Sequence, residues 1–256
     1  MTAVCTLPVL TACGAAQMAV DEGLLAHAHF VTARRYLWSP PALSLGRFQK
    51  LAGEAASGGG ATGAAAAAAD GRAADLPFDV VRRPSGGRAV LHGAGFEWSF
   101  AVAFPAGSLP SRRVDDAYAV VSEALAAALA EAGVRLDGGR RVPYRRSALC
   151  FATSLRHDLL AGAGKLAAVA QLRRGGAALV HGSVLERRPP ADLVAAVERC
   201  VGEAWRGDGV AATGVAVAAD RVWSCFLDGL AARLATRARG RDGRTSPTHT
   251  DQRGSA

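Results

Sequence analysis

Residues 164–185 read GKLAAVAQLRRGGAALVHGSVL. Two apolar-rich runs of strand length, Leu166 to Arg173 and Ala177 to Leu185, flank Arg174-Gly175-Gly176, and that arrangement predicts a β-hairpin. Ahead of it, Leu149 to Ala152 predicts a short strand and Phe96 to Phe104 a longer one. Residues 78–83 and 88–92 predict strands around a PSGG turn. Phe30 to Trp38 alternates like a strand, and Leu43 to Phe48 predicts another after the Ser39-Pro40-Pro41 break. Helices are expected at Gln17 to Ala28, at Asp115 to Ala132, from Pro190 to about Trp205, and at Asp220 to Arg237. In the second of these, Tyr118, Val121, Leu125 and Leu129 share one face and Gly133 supplies the stop. Strands and helices mix without regular βαβ alternation, which predicts an α+β fold with a mixed, largely antiparallel sheet flanked by helices.

With 256 residues, half of them apolar, the chain can bury a full core. Residues 1–238 are read as one domain interrupted by a low-complexity, Ala- and Gly-rich loop at 53–75, and residues 239–256 as a disordered basic tail. No apolar run approaches the ~18 residues of a membrane span. Leu10-Thr11-Ala12-Cys13 has the look of a lipoprotein cleavage box, but no Lys or Arg precedes it, so residues 4–12 are read as a strand. The five cysteines are odd in number and widely spread, and no pair has C-x-x-C spacing. That pattern predicts reduced thiols, a cytoplasmic location and no metal site. The net charge is +8; the five arginines from Arg237 onward, less Asp242 and Asp251, account for +3 of it and leave +5 on residues 1–236. A basic surface suits an acidic partner. No aromatic–basic interleaving or nucleic-acid motif accompanies it, so neither nucleic acid nor membrane is expected as a partner.

Among 30 basic residues only Lys50 and Lys165 are lysine. Arginine cannot replace lysine where a compact ammonium is needed, which singles out Lys165 in LCFATSLRHDLLAGAGKLAAVAQLRR, residues 149–174. Cys150 opens the loop to which Lys165 forms the return, and a neighbouring ammonium favours a thiolate. A lone cysteine is more often a small buried hydrophobe. In VVRRPSGGRAVLHG, residues 80–93, Gly86 and Gly87 allow close backbone approach to a ligand, and Arg82, Arg83 and Arg88 could meet a phosphate or carboxylate; the plainer reading is a basic hairpin. His181, inside an apolar strand, could be a base or simply a packed, hydrogen-bonded side chain.

Taken in order, four segments resemble the biotin/lipoate ligase superfamily: QMAVDEGLLAHA (17–28), RRYLWSPPALSLGRFQ (34–49), VVRRPSGGRAVLHG (80–93) and GKLAAVAQLRRGGAALVHGSVL (164–185). Within it the chain is most similar to the lipoate-ligase-like octanoyltransferases. It reads GGR rather than GGG in the acyl-binding loop, and Cys150 precedes Lys165 by fifteen positions. The biotin-ligase loop G-R-G-R-x-G is absent. The resemblance implies the α+β catalytic-domain fold of that superfamily, with Cys150 as acyl-thioester nucleophile and Lys165 lowering the thiol pKa and stabilising the carbonyl. It further implies a substrate-binding set of Arg83, Ser85, Gly86, Gly87, Arg88, His92, Ala170 and His181. Departures are Ala168-Val169 where the family reads Gly-Ser after the lysine, Ala163 for a glycine, and Gly93 for the acidic residue after the loop histidine.

The implied reaction moves octanoate from acyl carrier protein to a lysine of a lipoyl-type domain, such as glycine cleavage H protein or a dehydrogenase E2 subunit, in lipoate biosynthesis and without a cofactor. An ATP- and Mg-dependent lipoate-protein ligase is the alternative. An amidotransferase between two carrier proteins is a closer variant, and a binding module that grips the carrier or lipoyl domain without catalysis is a third.

Overall fold

The computed structural model describes residues 3–50, 76–109, 111, 113–137, 146–162, 164–205 and 218–242. In chain order its elements are β1 (Cys5–Thr6), β2 (Leu10–Ala12), α1 (Gly14–Ala26), β3 (Thr32–Trp38), β4 (Ala42–Leu45), β5 (Asp79–Arg82), β6 (Val90–His92), β7 (Glu97–Phe104), α2 (Val114–Glu131), a 3₁₀ turn (Cys150–Ala152), β8 (Leu159–Ala161), β9 (Gly164–Arg174), β10 (Ala177–Leu185), α3 (Ala191–Val201) and α4 (Ala219–Asp242).

The predicted hairpin is the heart of the main sheet. β9 and β10 pair antiparallel, and Gly175 and Gly176 close them at φ +57° and +85°, a turn that side chains bearing a Cβ resist. The seven-stranded sheet runs β1-β3-β7-β10-β9-β8, with β2 beside β3. β1 and β2 are parallel to β3 and every other pairing in the sheet is antiparallel, so the expected mixed, largely antiparallel α+β architecture is what forms. The strand expected over residues 4–12 is broken at Pro8, whose missing N–H interrupts the ladder.

The sheet has two unlike faces. On one, α2 and α4 cover Ala33, Phe100, Val102, Phe104, Leu166 and Val180 in the largest apolar cluster. Val121, Leu125 and Leu129 of the predicted α2 face are buried there, with Tyr118 partly buried. On the other face sit α1 and a three-stranded sheet, β5-β4-β6. The two segments around PSGG are strands, but they do not form a hairpin. β4 lies between them, parallel to β5 and antiparallel to β6, so the PSGG loop spans a whole strand.

Three further expectations need correction or placement. Leu149 to Ala152 is not a strand. Only Leu149 finds a strand neighbour, in a single parallel bridge to Ala89, and the next residues close a 3₁₀ turn through Ala152 N–H to Leu149 O (3.4 Å) and Thr153 N–H to Cys150 O (3.5 Å). α4 continues through Asp242, so residues 239–242 of the expected tail are helical. Residues 53–75 and 243–256 lie outside the described residues.

Candidate active site

A cavity of about 390 Å³ lies between the main sheet and the small one. Its size falls in the range of ~300–1,000 Å³ typical of small-molecule sites. Tyr36, Trp38, Ser99, His181, Ser183, Ala168 and Ala170 supply strand residues of the main sheet; Arg83, Gly87, Arg88, Val90 and His92 come from the small sheet and its loop; Met18 comes from α1. Cys150, Thr153, Leu155, Asp158 and Lys165 join them, and Val169 and Gly182 complete the lining. Leu155 is 60% exposed and Gly87 is exposed as well, so the lining reaches solvent at both.

The structure brings Cys150 and Lys165 together. Cys150 N–H donates to Ala89 O (2.9 Å), which fixes the 3₁₀ turn against the strand that leaves the glycine loop. Lys165, 4% exposed at the start of β9, donates to Cys150 O at 2.7 Å and lies 3.6 Å from Cys150 Sγ. A third partner had no signal in the sequence. Asp158, on the loop between the two, holds Lys165 Nζ at 2.7 Å through Oδ2, and the same oxygen accepts Leu155 N–H at 2.7 Å. Both side chains of this ion pair are almost fully buried, at 2% and 4% exposure. The spacing of Asp158, seven residues before the lysine in a loop without periodicity, gave nothing to read.

Arg83 and Arg82 donate to groups of the protein itself. Arg83 donates to Ser44 O (2.6 Å), Ser44 Oγ (2.7 Å), Arg88 O (2.8 Å) and Gly86 O (3.3 Å), so it braces the inside of the turn that was expected to bind an anion. Burial pushes the Arg83 guanidinium below its ordinary pKa, while the neighbouring Cys150 acts in the opposite direction. Arg82 donates to Gly46 O (3.2 Å) and to Gln49 O. Gly46 is a glycine because there is no room for more: a Cβ there would sit 2.0 Å from Gly87 O, so β4 can end beneath the loop only without a side chain.

Two acid–histidine–serine chains tie the loop and the small sheet to the main sheet. In the first, Asp21 Oδ2 pairs with His181 Nδ1 (3.0 Å), and His181 Nε2 meets Ser85 Oγ (2.6 Å). Arg34 neutralises Asp21 at 2.6 Å and also grips Gln17 Oε1 (2.8 Å) and Gln17 O (2.7 Å). Tyr36 OH donates to Asp21 at 3.3 Å; burial, then the Asp21 charge, push that phenol well above its ordinary pKa, so it stays a donor. In the second, Glu97 meets His92 Nδ1 (3.3 Å), and His92 Nε2 meets Ser44 Oγ (2.7 Å). His92 stacks on Trp38 with centroids 4.1 Å apart. Burial lowers the His92 pKa against the opposing pull of Glu97.

Of the residues expected to bind substrate, Arg83, Gly87, Arg88, His92, Ala170 and His181 line the cavity. Ser85 is buried with its hydroxyl on His181, and Gly86 is exposed at the loop tip. Neither is part of the lining. Ala168 and Val169, which replace Gly-Ser of the family pattern, both line the cavity, and the space persists beside them. Among the described residues no cluster of His, Cys, Asp and Glu has the arrangement of a metal site, and no helix is long and apolar enough to cross a membrane.

Residues 14–199 match the family model of the lipoyl protein ligase A/B catalytic domain. Curated relatives include the octanoyltransferase LipM of Symbiobacterium thermophilum, 37% identical over 183 residues (67% of this chain and 61% of the relative). Another is the octanoyltransferase LipM of Moorella thermoacetica, 35% identical over 192 residues (71% and 64%). The chain thus spans a little over three fifths of the length of the relatives it matches. Among solved structures, a lipoate-protein ligase A bound with ATP superposes with a TM-score of 0.63 at 18% identity, covering 95% of both chains. A bi-partite lipoate protein ligase from Thermoplasma acidophilum gives 0.55 at 16% identity, covering 95% of this chain and 93% of that one. At these identities the likeness shows the fold.

Proposed function

The chain belongs to the lipoyl protein ligase A/B catalytic-domain family, and we propose that within it this protein transfers an octanoyl group from acyl carrier protein to a lysine of a lipoyl-type domain through a thioester on Cys150. The observation that carries the reading is the Lys165 ammonium, 3.6 Å from Cys150 Sγ at the edge of a mostly apolar cavity. The octanoyltransferase relatives support the acyl group and the class of reaction.

The Cys150 thiolate attacks the carbonyl carbon of the donor thioester. A new C–S bond forms, the carbonyl electrons move to oxygen, and as they return the carrier's thiol leaves as thiolate and takes a proton from solvent. The neutral amine of the acceptor lysine then attacks the enzyme thioester, the surplus proton on its nitrogen passes to solvent, the C–S bond breaks as the amide forms, and Cys150 is released as thiolate. Both steps start from an activated thioester, so no ATP is consumed. Lys165 favours the thiolate in the resting state and places positive charge near the carbonyl oxygen as it becomes an oxyanion. The cavity takes the alkyl chain, at roughly 0.8 kcal/mol for each methylene removed from water.

Transfer from octanoyl-acyl carrier protein to a purified lipoyl domain tests the roles of both residues. Cys150→Ser is expected to abolish product. Lys165→Arg is expected to keep a charge but lose most of the rate, because the planar guanidinium cannot occupy the three-donor ammonium site. Full-rate transfer by Cys150→Ser would remove the covalent step. Product that depends on ATP and free lipoate would assign the ligase reaction instead.

A further inference from the structure

We infer that Asp158 is a positioning residue that holds the Lys165 ammonium in register with Cys150 and, through its charge, limits how strongly that ammonium acidifies the thiol. The inference rests on the reading of Cys150 and Lys165 as the reacting pair.

An ammonium has three N–H donors. Two of those on Lys165 are committed at 2.7 Å, one to Asp158 Oδ2 and one to Cys150 O. Those two bonds fix the nitrogen and leave the third donor for Sγ at 3.6 Å. Without Asp158 a four-carbon stem with rotatable bonds would be anchored by one backbone carbonyl. Asp158 is itself fixed, since the same oxygen accepts Leu155 N–H at 2.7 Å. The loop around it is tied to the start of α2, where His157 Nε2 meets Asp115 Oδ1 at 3.2 Å and the His157 ring stacks on Tyr118 with centroids 5.0 Å apart.

The charge has a second consequence. The distances from Lys165 Nζ place the carboxylate no farther than about 6 Å from Sγ. A carboxylate there opposes thiolate formation, while the Lys165 ammonium at 3.6 Å favours it. Arg83, Arg88, His92 and His181 line the same cavity as Cys150 and are unchanged by substitution at 158, so Asp158→Asn removes one negative charge while keeping an acceptor oxygen for the ammonium. At ~6 Å and an effective dielectric constant of ~20, one unit charge is equivalent to about two pH units in a thiol titration. Asp158 thus trades some thiolate population for a fixed ammonium, which is more useful at the moment the oxyanion forms.

The test is the pH dependence of Cys150 alkylation by iodoacetamide in the full chain, read on the Cys150 peptide so that the other four cysteines do not contribute. It is paired with the rate of acylation by octanoyl-acyl carrier protein. Asp158→Asn is expected to lower the alkylation midpoint by about one to two pH units while slowing acylation more than about tenfold. Asp158→Glu keeps the charge but displaces it, so its midpoint stays near that of the parent while acylation slows. A purely structural role would slow acylation in both variants without moving the Asn midpoint. An unmoved or raised midpoint in Asp158→Asn overturns the electrostatic part, and parent-rate acylation in either variant overturns the positioning part. Should Asp158→Asn fail to fold, Asp158→Glu alone decides the positioning. Alkylation uses no acyl donor, so a midpoint shift in Asp158→Asn together with a parent protein that forms no octanoyl adduct would refute the reading of the reaction and leave the Asp158–Lys165–Cys150 coupling standing.

Discussion

Arg34→Met should cost the protein a large part of its stability, although Arg34 touches neither Cys150 nor Lys165. Its side chain is 2% exposed, and it makes four hydrogen bonds: two to Asp21 Oδ1 (2.9 and 2.6 Å), one to Gln17 Oε1 and one to Gln17 O. Methionine fills much of the same space but leaves Asp21, fully buried, with Tyr36 OH and His181 Nδ1 as its side-chain partners among the described residues. Breaking a buried ion pair from one side typically costs about 3–5 kcal/mol, because the remaining charge stays desolvated. For a domain of this size that is roughly 6–20 °C in Tm. Replacing both partners, Arg34→Met with Asp21→Asn, should recover most of the loss, since no unpaired charge remains. Differential scanning calorimetry of the parent, the single variants and the double variant completes a cycle. A single variant as stable as the parent would mean that Arg34's own desolvation cancels its bonds, and the account of the Asp21–His181–Ser85 chain as an anchor would fail.

Gly46→Ala should destabilise by about 1–3 kcal/mol and loosen the PSGG loop, because its Cβ would lie 2.0 Å from Gly87 O; urea midpoints and proteolysis of the loop measure this. His92 is held by burial below its ordinary pKa of 6.5, so the unfolded chain takes up the proton first and stability is lost as pH falls below about 6.5. His92→Gln should flatten that slope between about pH 7 and 5 in urea titrations, and an unchanged slope would exclude His92 as its source. Ala168→Leu should fill the cavity beside Ser183 and reduce octanoyl acylation by more than about tenfold while thiol alkylation of Cys150 persists. Equal losses of both would indicate misfolding rather than a blocked pocket.

The local periodicities carried most of the fold. The hairpin at 164–185 could be read because glycines at two consecutive turn positions have one obvious use, and α2 could be read because its apolar residues repeat at helical spacing. The pairing of β4 between β5 and β6 could not be read, since which strand fills the gap spanned by a loop is decided by packing far along the chain. The 3₁₀ turn at Cys150 looked like a strand because its residues are apolar, and apolar residues also line a turn buried against a pocket. Lys165 stood out because lysine is rare in this chain. Asp158 did not, because a carboxylate in a loop has no period, and only the folded loop brings it to the ammonium. Arg83 was read as a ligand-binding cation, whereas much of its hydrogen bonding goes to Ser44 and the loop carbonyls. Of the polar residues Glu97, Ser99, His181 and Ser183 within otherwise apolar central strands, only His181 was singled out; the other three carried the same signal, unread, that this face of the sheet meets a hydrogen-bond network rather than a plain core.

The central claim is covalent transfer through Cys150, and one measurement addresses it directly. The full chain is mixed with octanoyl-acyl carrier protein in the absence of an acceptor and of ATP, and its intact mass and peptide map are recorded. The account predicts one octanoyl group per chain, located on Cys150, cleared by neutral hydroxylamine and discharged when a lipoyl domain is added. A chain that stays unmodified while transfer to the lipoyl domain proceeds, or an adduct on any other residue, would contradict it.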